Sequence, residues 1–166
     1  PVPDYENTSL MVLWGINPMA SSLPNQGRRV INALDRGAEL VVIDPRYSST
    51  ASKADIFLQP RPGTDGALAL GIAKYIVDQD LHQKDFIEHY AHGFEEFKSF
   101  IADYDLGRVS DITGVPMEKI REVAELYSTH SPGAALEDGN GLEQHTNVVQ
   151  TTRALATLRA ITGNLG

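Results

Sequence analysis

The sequence predicts an α/β fold: a mostly parallel sheet with helices on both faces and a helical insertion over about 80–131. Three observations carry this. Two compact apolar runs, LMVLW at 10–14 and LVVI at 40–43, read as strands buried on both faces. One amphipathic stretch separates them, which makes a right-handed crossover between parallel strands. Each run stops at a turn, at Gly15 and at Asp44, and further glycine-bearing turns follow at 61–66 and 139–141.

The first strand delivers the turn G-I-N-P-M-A-S-S at 15–22. Gly15 permits close approach of a ligand or of backbone, Asn17 offers an amide, and Pro18 biases Asn17 away from helix. From about Pro24 to Arg36, Val30, Ile31 and Leu34 share a helical face, and Gly37 stands where a helix would end. Asp44 directly follows the second strand, where an acid of a dinucleotide fold accepts hydrogen bonds from ribose hydroxyls. The sheet is therefore expected to be Rossmann-like, although GINPMA is not the G-x-G-x-x-G fingerprint and a standard NAD site matches poorly.

Ala54–Leu58 reads as a third, short strand leading to RPGTDG at 61–66. Thr64 or Asp65 can cap the next helix, which places Leu68, Ile72, Tyr75 and Ile76 on one side. The Asp65 carboxylate can alternatively take two N–H donors from a planar group such as a guanine edge.

In the insertion, Phe86, Ile87 and Tyr90 form one short face stopped by Gly93. Phe94, Phe97, Phe100 and Ile101 form a second, and a helix beginning near Pro116 aligns Ile120, Val123, Ala124 and Tyr127. These aromatics are expected to pack. His89 and His92 lack a third ligand for a metal and read as a helix-end pair, and no metal-ligating residue is assigned. Ala134–Leu136 reads as a fourth strand running into a turn with Gly139 and Gly141, both candidate ligand-facing positions. The last helix, about Gln144 to Ile161, directs Val148, Thr152, Leu155 and Leu158 inward and leaves Arg153 on another face.

A chain of 166 residues suits one domain. With 14 Lys plus Arg against 22 Asp plus Glu, the net charge of −8 disfavours a nucleic acid partner. The absence of cysteine excludes disulfides and Cys-ligated zinc or iron–sulfur clusters built from this chain alone. No apolar run is long enough for direct membrane insertion as a helix, and PVPDYENTS lacks a basic signal-peptide start. The missing initial Met and the T-G-N-L-G end suggest an excised piece or a processed product, with no indication of compartment.

The motifs W-G-x-N-P at 14–18, I-D-P-R at 43–46, A-D at 54–55, R-P-G-T-D-G-A-L at 61–68, I-T-G-V at 112–115 and T-G-N-L-G at 162–166 appear in family order. Together they resemble the molybdopterin oxidoreductase family, the group of formate dehydrogenases, nitrate reductases and dimethyl sulfoxide or polysulfide reductases. The resemblance implies one domain of a larger catalytic subunit, holding one of two molybdopterin guanine dinucleotides that flank molybdenum or tungsten. It implies contacts from Gly15, Ile16, Asn17 and Pro18 to the pyrophosphate region. It further implies Asp44 at the guanosine ribose, with Ile43, Pro45 and Arg46 completing that motif. Gly63, Thr64 and Asp65 would meet the guanosine end, Asp65 pairing with guanine N–H groups, and Gly139 and Gly141 join the cofactor-binding set.

Q-T-T-R-A-L at 150–155 is similar to a formate dehydrogenase segment that brings an arginine near the metal, so Arg153 is the catalytic candidate. The family's metal ligand and its iron–sulfur cysteines lie upstream of this region, so the piece alone is expected to be inactive. Implied partners are the remaining domains of the same polypeptide and an iron–sulfur electron-transfer subunit. Competing readings are a non-redox acetylene hydratase-like lyase, a cofactor-free structural or electron-relay subunit of the respiratory complex I type, and a plain nucleotide-binding module.

Overall fold

The computed structural model describes residues 3–21 and 24–165. Ser22, which closes the first turn, and Gly166 of T-G-N-L-G lie outside the described residues, as do Pro1, Val2 and Leu23. Four parallel strands, β1 (Leu10–Trp14), β2 (Glu39–Ile43), β3 (Ile56–Leu58) and β4 (Ala134–Asp138), form one sheet in the order β3-β2-β1-β4. All five β1 residues are buried, as their continuous apolar character requires at the centre of a parallel sheet.

Helix α1 (Gln26–Asp35) crosses from β1 to β2 over one face, and Gly37, at φ +92°, donates its N–H to Leu34 O at 2.8 Å to end it. Val30 and Ala33 pack there against Met11, Leu13, Leu40 and Val42. The opposite face is covered by α2 (Asp65–Asp78), α5 (Leu106–Thr113), α6 (Met117–Thr129) and α8 (Val148–Ile161). Leu68, Ile72 and Ile76 of α2 meet Val12 and Trp14 of the sheet in that larger core. Among the described residues, no helix is long and apolar enough to cross a membrane.

Several expected boundaries move for identifiable reasons. β3 starts at Ile56 because Asp55 serves β2 instead: its N–H donates to Leu40 O at 2.9 Å and its carboxylate accepts from Leu40 N at 2.8 Å. The final helix starts at Val148 rather than near Gln144. A four-residue turn of helix, α7 (Asn140–Glu143), precedes α8, and Thr151 rather than Thr152 faces inward. Within the segment 80–131, α6 buries Ile120, Val123, Ala124 and Tyr127, whereas α3 (Lys84–Tyr90) and α4 (Phe94–Phe100) bury no residue. The expected packing role of their aromatics is met only in part: Phe94 and Phe97 rest against the core, while Tyr90 is 78% and Phe100 63% exposed. Helix α5 went unread in the sequence, although Asp105 caps it by accepting from Arg108 N at 3.0 Å and Gly114 closes it in the left-handed conformation.

The connections leave β1 toward opposite sides of the sheet, through α1 to β2 on one side and with β4 on the other. The crevice outside the strand carboxyl ends at this reversal is where an open α/β sheet binds ligands.

Candidate functional site

The turns after β1 and β4 lock into each other. Gly15 adopts φ +62°, and a Cβ on it would lie 2.1 Å from Leu142 Cδ1. Gly139 N donates to Trp14 O at 3.0 Å and Gly141 N to Gly15 O at 3.1 Å. A Cβ on Gly139 would meet Ile16 Cβ at 2.8 Å, and one on Gly141 would meet Gly15 O at 2.7 Å. The close approach anticipated for a ligand at Gly139 is thus made by the chain itself. Gly141 serves both purposes, since it also borders the cleft described below.

Asn17 and Pro18 are buried rather than presented at a surface. Asn17 Oδ1 accepts from Thr50 Oγ1 at 2.6 Å and from Ser49 Oγ at 3.2 Å, and the Asn17 backbone carbonyl accepts from Ala20 and Ser21 N–H. The amide therefore fastens the β1 turn to the segment following β2. Thr50, fully buried, also accepts from Met19 N at 3.2 Å. Sequence reading passed over Thr50, whose signal is the hydroxyl run Ser48-Ser49-Thr50 just beyond I-D-P-R.

Gly15, Asp44, Pro45, Asp65 and Gly141 do converge, around a cleft of about 70 Å³ that Arg61 and His145 also line. Asp44 N donates to Leu58 O at 3.1 Å, and its Oδ1 accepts from Arg46 N at 2.7 Å, an Asx turn that sets the rim. Ile43 is fully buried in the sheet and supports the rim from below. Gly63, at φ +82°, lets the R-P-G-T turn close, and Thr64 Oγ1 donates to Arg61 O at 2.7 Å. Neither Thr64 nor Asp65 caps α2 through its side chain. Asp65, 7% exposed, accepts from the Trp14 indole N–H at 2.8 Å through Oδ1.

Arg61 and His145 were not singled out as site residues. Arg61 Nη1 donates to the carbonyls of Asp111 and Ile112, 2.5 and 3.1 Å away, so the turn bearing Asp65 is anchored to the end of α5.

Arg153 lies elsewhere. It borders a groove of about 670 Å³ between α2, α4 and α8, together with Gly63, Thr64, Phe97, Phe100 and Gln150. Its guanidinium is exposed and makes no side-chain hydrogen bond or ion pair among the described residues. On the other side of the sheet edge, Glu137 Oε1 accepts from Gln26 Nε2 at 2.6 Å while its Oε2 is buried without a partner. Burial, with the neighbouring Asp138 charge adding to it, pushes the Glu137 carboxyl up to about 7. Asp138 itself pairs with Arg159.

Residues 1–166 match the family model for molybdopterin oxidoreductase over their whole length. The chain belongs to the molybdopterin oxidoreductase family. It is 39% identical over 95% of its length to a probable oxidoreductase, YoaE, of Bacillus subtilis, and 36% identical over 99% to formate dehydrogenase H of Escherichia coli. Acetylene hydratase of Syntrophotalea acetylenica is 40% identical over 96% of this chain. The structure of acetylene hydratase from Pelobacter acetylenicus superimposes with a TM-score of 0.94, at 34% identity, over 99% of this chain and 22% of that one. The chain spans 22–23% of the length of these curated relatives.

Membership of this family implies a molybdopterin cofactor carrying molybdenum or tungsten. The cleft suits one end of such a group. It presents two carboxylates, Asp44 and Asp65, as acceptors for hydroxyl or ring N–H donors. Its size admits the edge of a sugar or of a ring and not a whole dinucleotide.

Proposed function

We propose that this domain holds the guanosine end of a molybdopterin guanine dinucleotide in a catalytic subunit that performs two-electron or oxygen-atom transfer. The observation that supports this reading best is the convergence of Asp44 and Asp65 on one cleft at the carboxyl edge of a parallel sheet. When bound, the dithiolene-held metal supplies the redox chemistry. The residues of this chain bind and orient. Asp44, already folded back on Arg46 N, offers its second oxygen to ribose hydroxyls. Asp65 keeps one oxygen on Trp14 and offers the other to a guanine N–H. Backbone of the Gly15–Pro18 turn borders the pyrophosphate, held in place by the Thr50 anchor on Asn17. Arg153, exposed in the separate groove between α2, α4 and α8, adds a positive charge that steadies an anionic substrate or product.

The experiment is a titration of the chain with GDP and ADP. Tighter binding of GDP, reduced by Asp44→Ala, is the expected result. In the full-length protein, metal and pterin analysis completes the test: finding no molybdenum, tungsten or pterin would sink the proposal. An iron–sulfur cluster elsewhere in the full chain, and an iron–sulfur subunit as electron partner, belong to the same proposal.

The 40% identity to acetylene hydratase favours a second reading, a non-redox lyase using the same cradle. Hydration activity without electron transfer in the full-length protein would establish it over the first.

A further inference from the structure

Asn140-Gly141 is the one Asn-Gly pair of the sequence. This dipeptide is prone to spontaneous ring closure, because glycine has no Cβ to shield its amide nitrogen from the preceding side chain. Asn140 is exposed, and its side chain makes no hydrogen bond among the described residues. Its side-chain carbonyl carbon is therefore open to attack. The attacking nitrogen is restrained: Gly141 N donates to Gly15 O at 3.1 Å, and Asn140 is the first residue of α7. A helical ψ of about −42° turns the next residue's nitrogen away from the residue's own side chain. Four residues of helix are too few to hold that geometry unaided. Protection of Asn140 thus depends on the lock between the turns after β1 and β4, formed by Gly139 N on Trp14 O and Gly141 N on Gly15 O. Asp138, which also precedes a glycine, is held in another way, within β4 and paired with Arg159.

We propose that Asn140 is a latent self-modification site, converted to aspartate or isoaspartate when the lock between the β1 and β4 turns opens, with water as the only co-reactant. Once released, the Gly141 nitrogen gives up its proton and bonds to the Asn140 side-chain carbonyl carbon. The bond from that carbon to the side-chain nitrogen breaks, and ammonia leaves with the proton. Water then opens the resulting succinimide at either carbonyl, giving aspartate or isoaspartate. Nothing is oxidised or reduced. Isoaspartate adds one methylene to the main chain, so Gly139 N and Gly141 N no longer match Trp14 O and Gly15 O together, and the opening becomes permanent. Either product also replaces a neutral amide with a carboxylate beside Gly141, on a cleft that already presents Asp44 and Asp65. The added charge disfavours an anionic ligand there. The proposal is independent of which ligand the cleft takes.

The test follows Asn140 in the full-length polypeptide by peptide mass spectrometry in mildly alkaline buffer, with isoaspartyl carboxyl methyltransferase labelling to identify isoaspartate. Folded wild type is expected to convert more slowly than the same chain unfolded in guanidinium chloride; equal rates overturn the proposal. Gly15→Ala opens the lock and is expected to convert Asn140 about 5–30 times faster than folded wild type. An unchanged rate overturns the proposal. Gly141→Ala also breaks the lock, since its Cβ would lie 2.7 Å from Gly15 O, but the added methyl shields the attacking nitrogen. It is expected to convert no faster than wild type, and a rate matching Gly15→Ala overturns the proposal. Should a variant fail to fold, folded wild type decides alone. At guanidinium concentrations below the unfolding transition, conversion of Asn140 should rise in proportion to hydrogen exchange at Gly141 N–H. Conversion that stays constant while that exchange rises overturns the proposal, as does conversion of another asparagine ahead of Asn140.

Discussion

Trp14 Nε1 donates to Asp65 Oδ1 at 2.8 Å across a buried interval, joining the last residue of β1 to the first of α2. The carboxylate expected to read a ligand is therefore also part of the framework. This separates two substitutions. Asp65→Ala strands the indole N–H, and a urea titration should show a loss of about 1–3 kcal/mol. Asp65→Asn keeps an acceptor for Trp14 but swaps the other oxygen for a donor. It should cost less than about 1 kcal/mol in the same titration while abolishing the preference for GDP over ADP. A preference that survives Asp65→Asn would leave Asp65 a purely structural role.

Gly15→Ala meets two obstacles at once, a left-handed backbone at φ +62° and the Leu142 side chain 2.1 Å from the new Cβ. A loss of about 2 kcal/mol or more is expected. Leu142 is itself a core residue, so the comparison is made in its absence: in a Leu142→Ala background, which removes the clash but not the dihedral, Gly15→Ala should lower the melting temperature by less than it does in the wild type, yet still lower it.

Glu137 makes stability depend on pH in the direction opposite to a salt-bridged acid. Burial raises its folded value to about 7 from the usual 4.5, so between these limits the folded state binds more protons than the unfolded chain. Stability then falls as pH rises from about 4.5 to about 7, and stays at the lower level above that. After discounting for its partial exposure, the change amounts to about 1–2 kcal/mol. Glu137→Gln retains an acceptor for Gln26 and should flatten this part of the profile; denaturation midpoints at several pH values decide it.

Arg61→Ala removes the guanidinium from the Asp111 and Ile112 carbonyls at the end of α5. A cost of about 1 kcal/mol is expected. Hydrogen exchange should speed up in the last turn of α5 and in the 61–64 turn together. Acceleration in only one of them would show that the two are not held by this contact.

The strands around Val12 and Val41 were legible because a strand buried on both faces must be a continuous apolar run. Asp44 and Asp65 were legible as turn acids by their position after one strand and before one helix. What lay hidden was pairwise. Trp14 and Asp65 are 51 residues apart, and no local pattern announces that an indole will occupy a carboxylate. The glycines at 139 and 141 meet a requirement that the sequence does not explain, the close approach of the turn at Gly15, and Gly141 borders the cleft as well. Helix α5 escaped because it is short, its eight residues carrying one face of Leu106, Val109 and Ile112 between Asp105 and Gly114. The aromatics of α3 and α4 were expected to pack, and they do so only in part, because hydrophobic periodicity reports a face and not what covers it.

The register of the sheet also dictates an order of assembly. Leu10 pairs with Glu39 on one side and with Ala134 on the other. During synthesis the pairing of β1 with β2 can form early, but the second edge of β1 stays unsatisfied until residue 138 has left the ribosome. Throughout that interval Leu10–Trp14 presents a bare, apolar strand edge, the kind of surface on which chains aggregate. The long helical stretch between β3 and β4 thus sets how long that edge stays unpaired during synthesis.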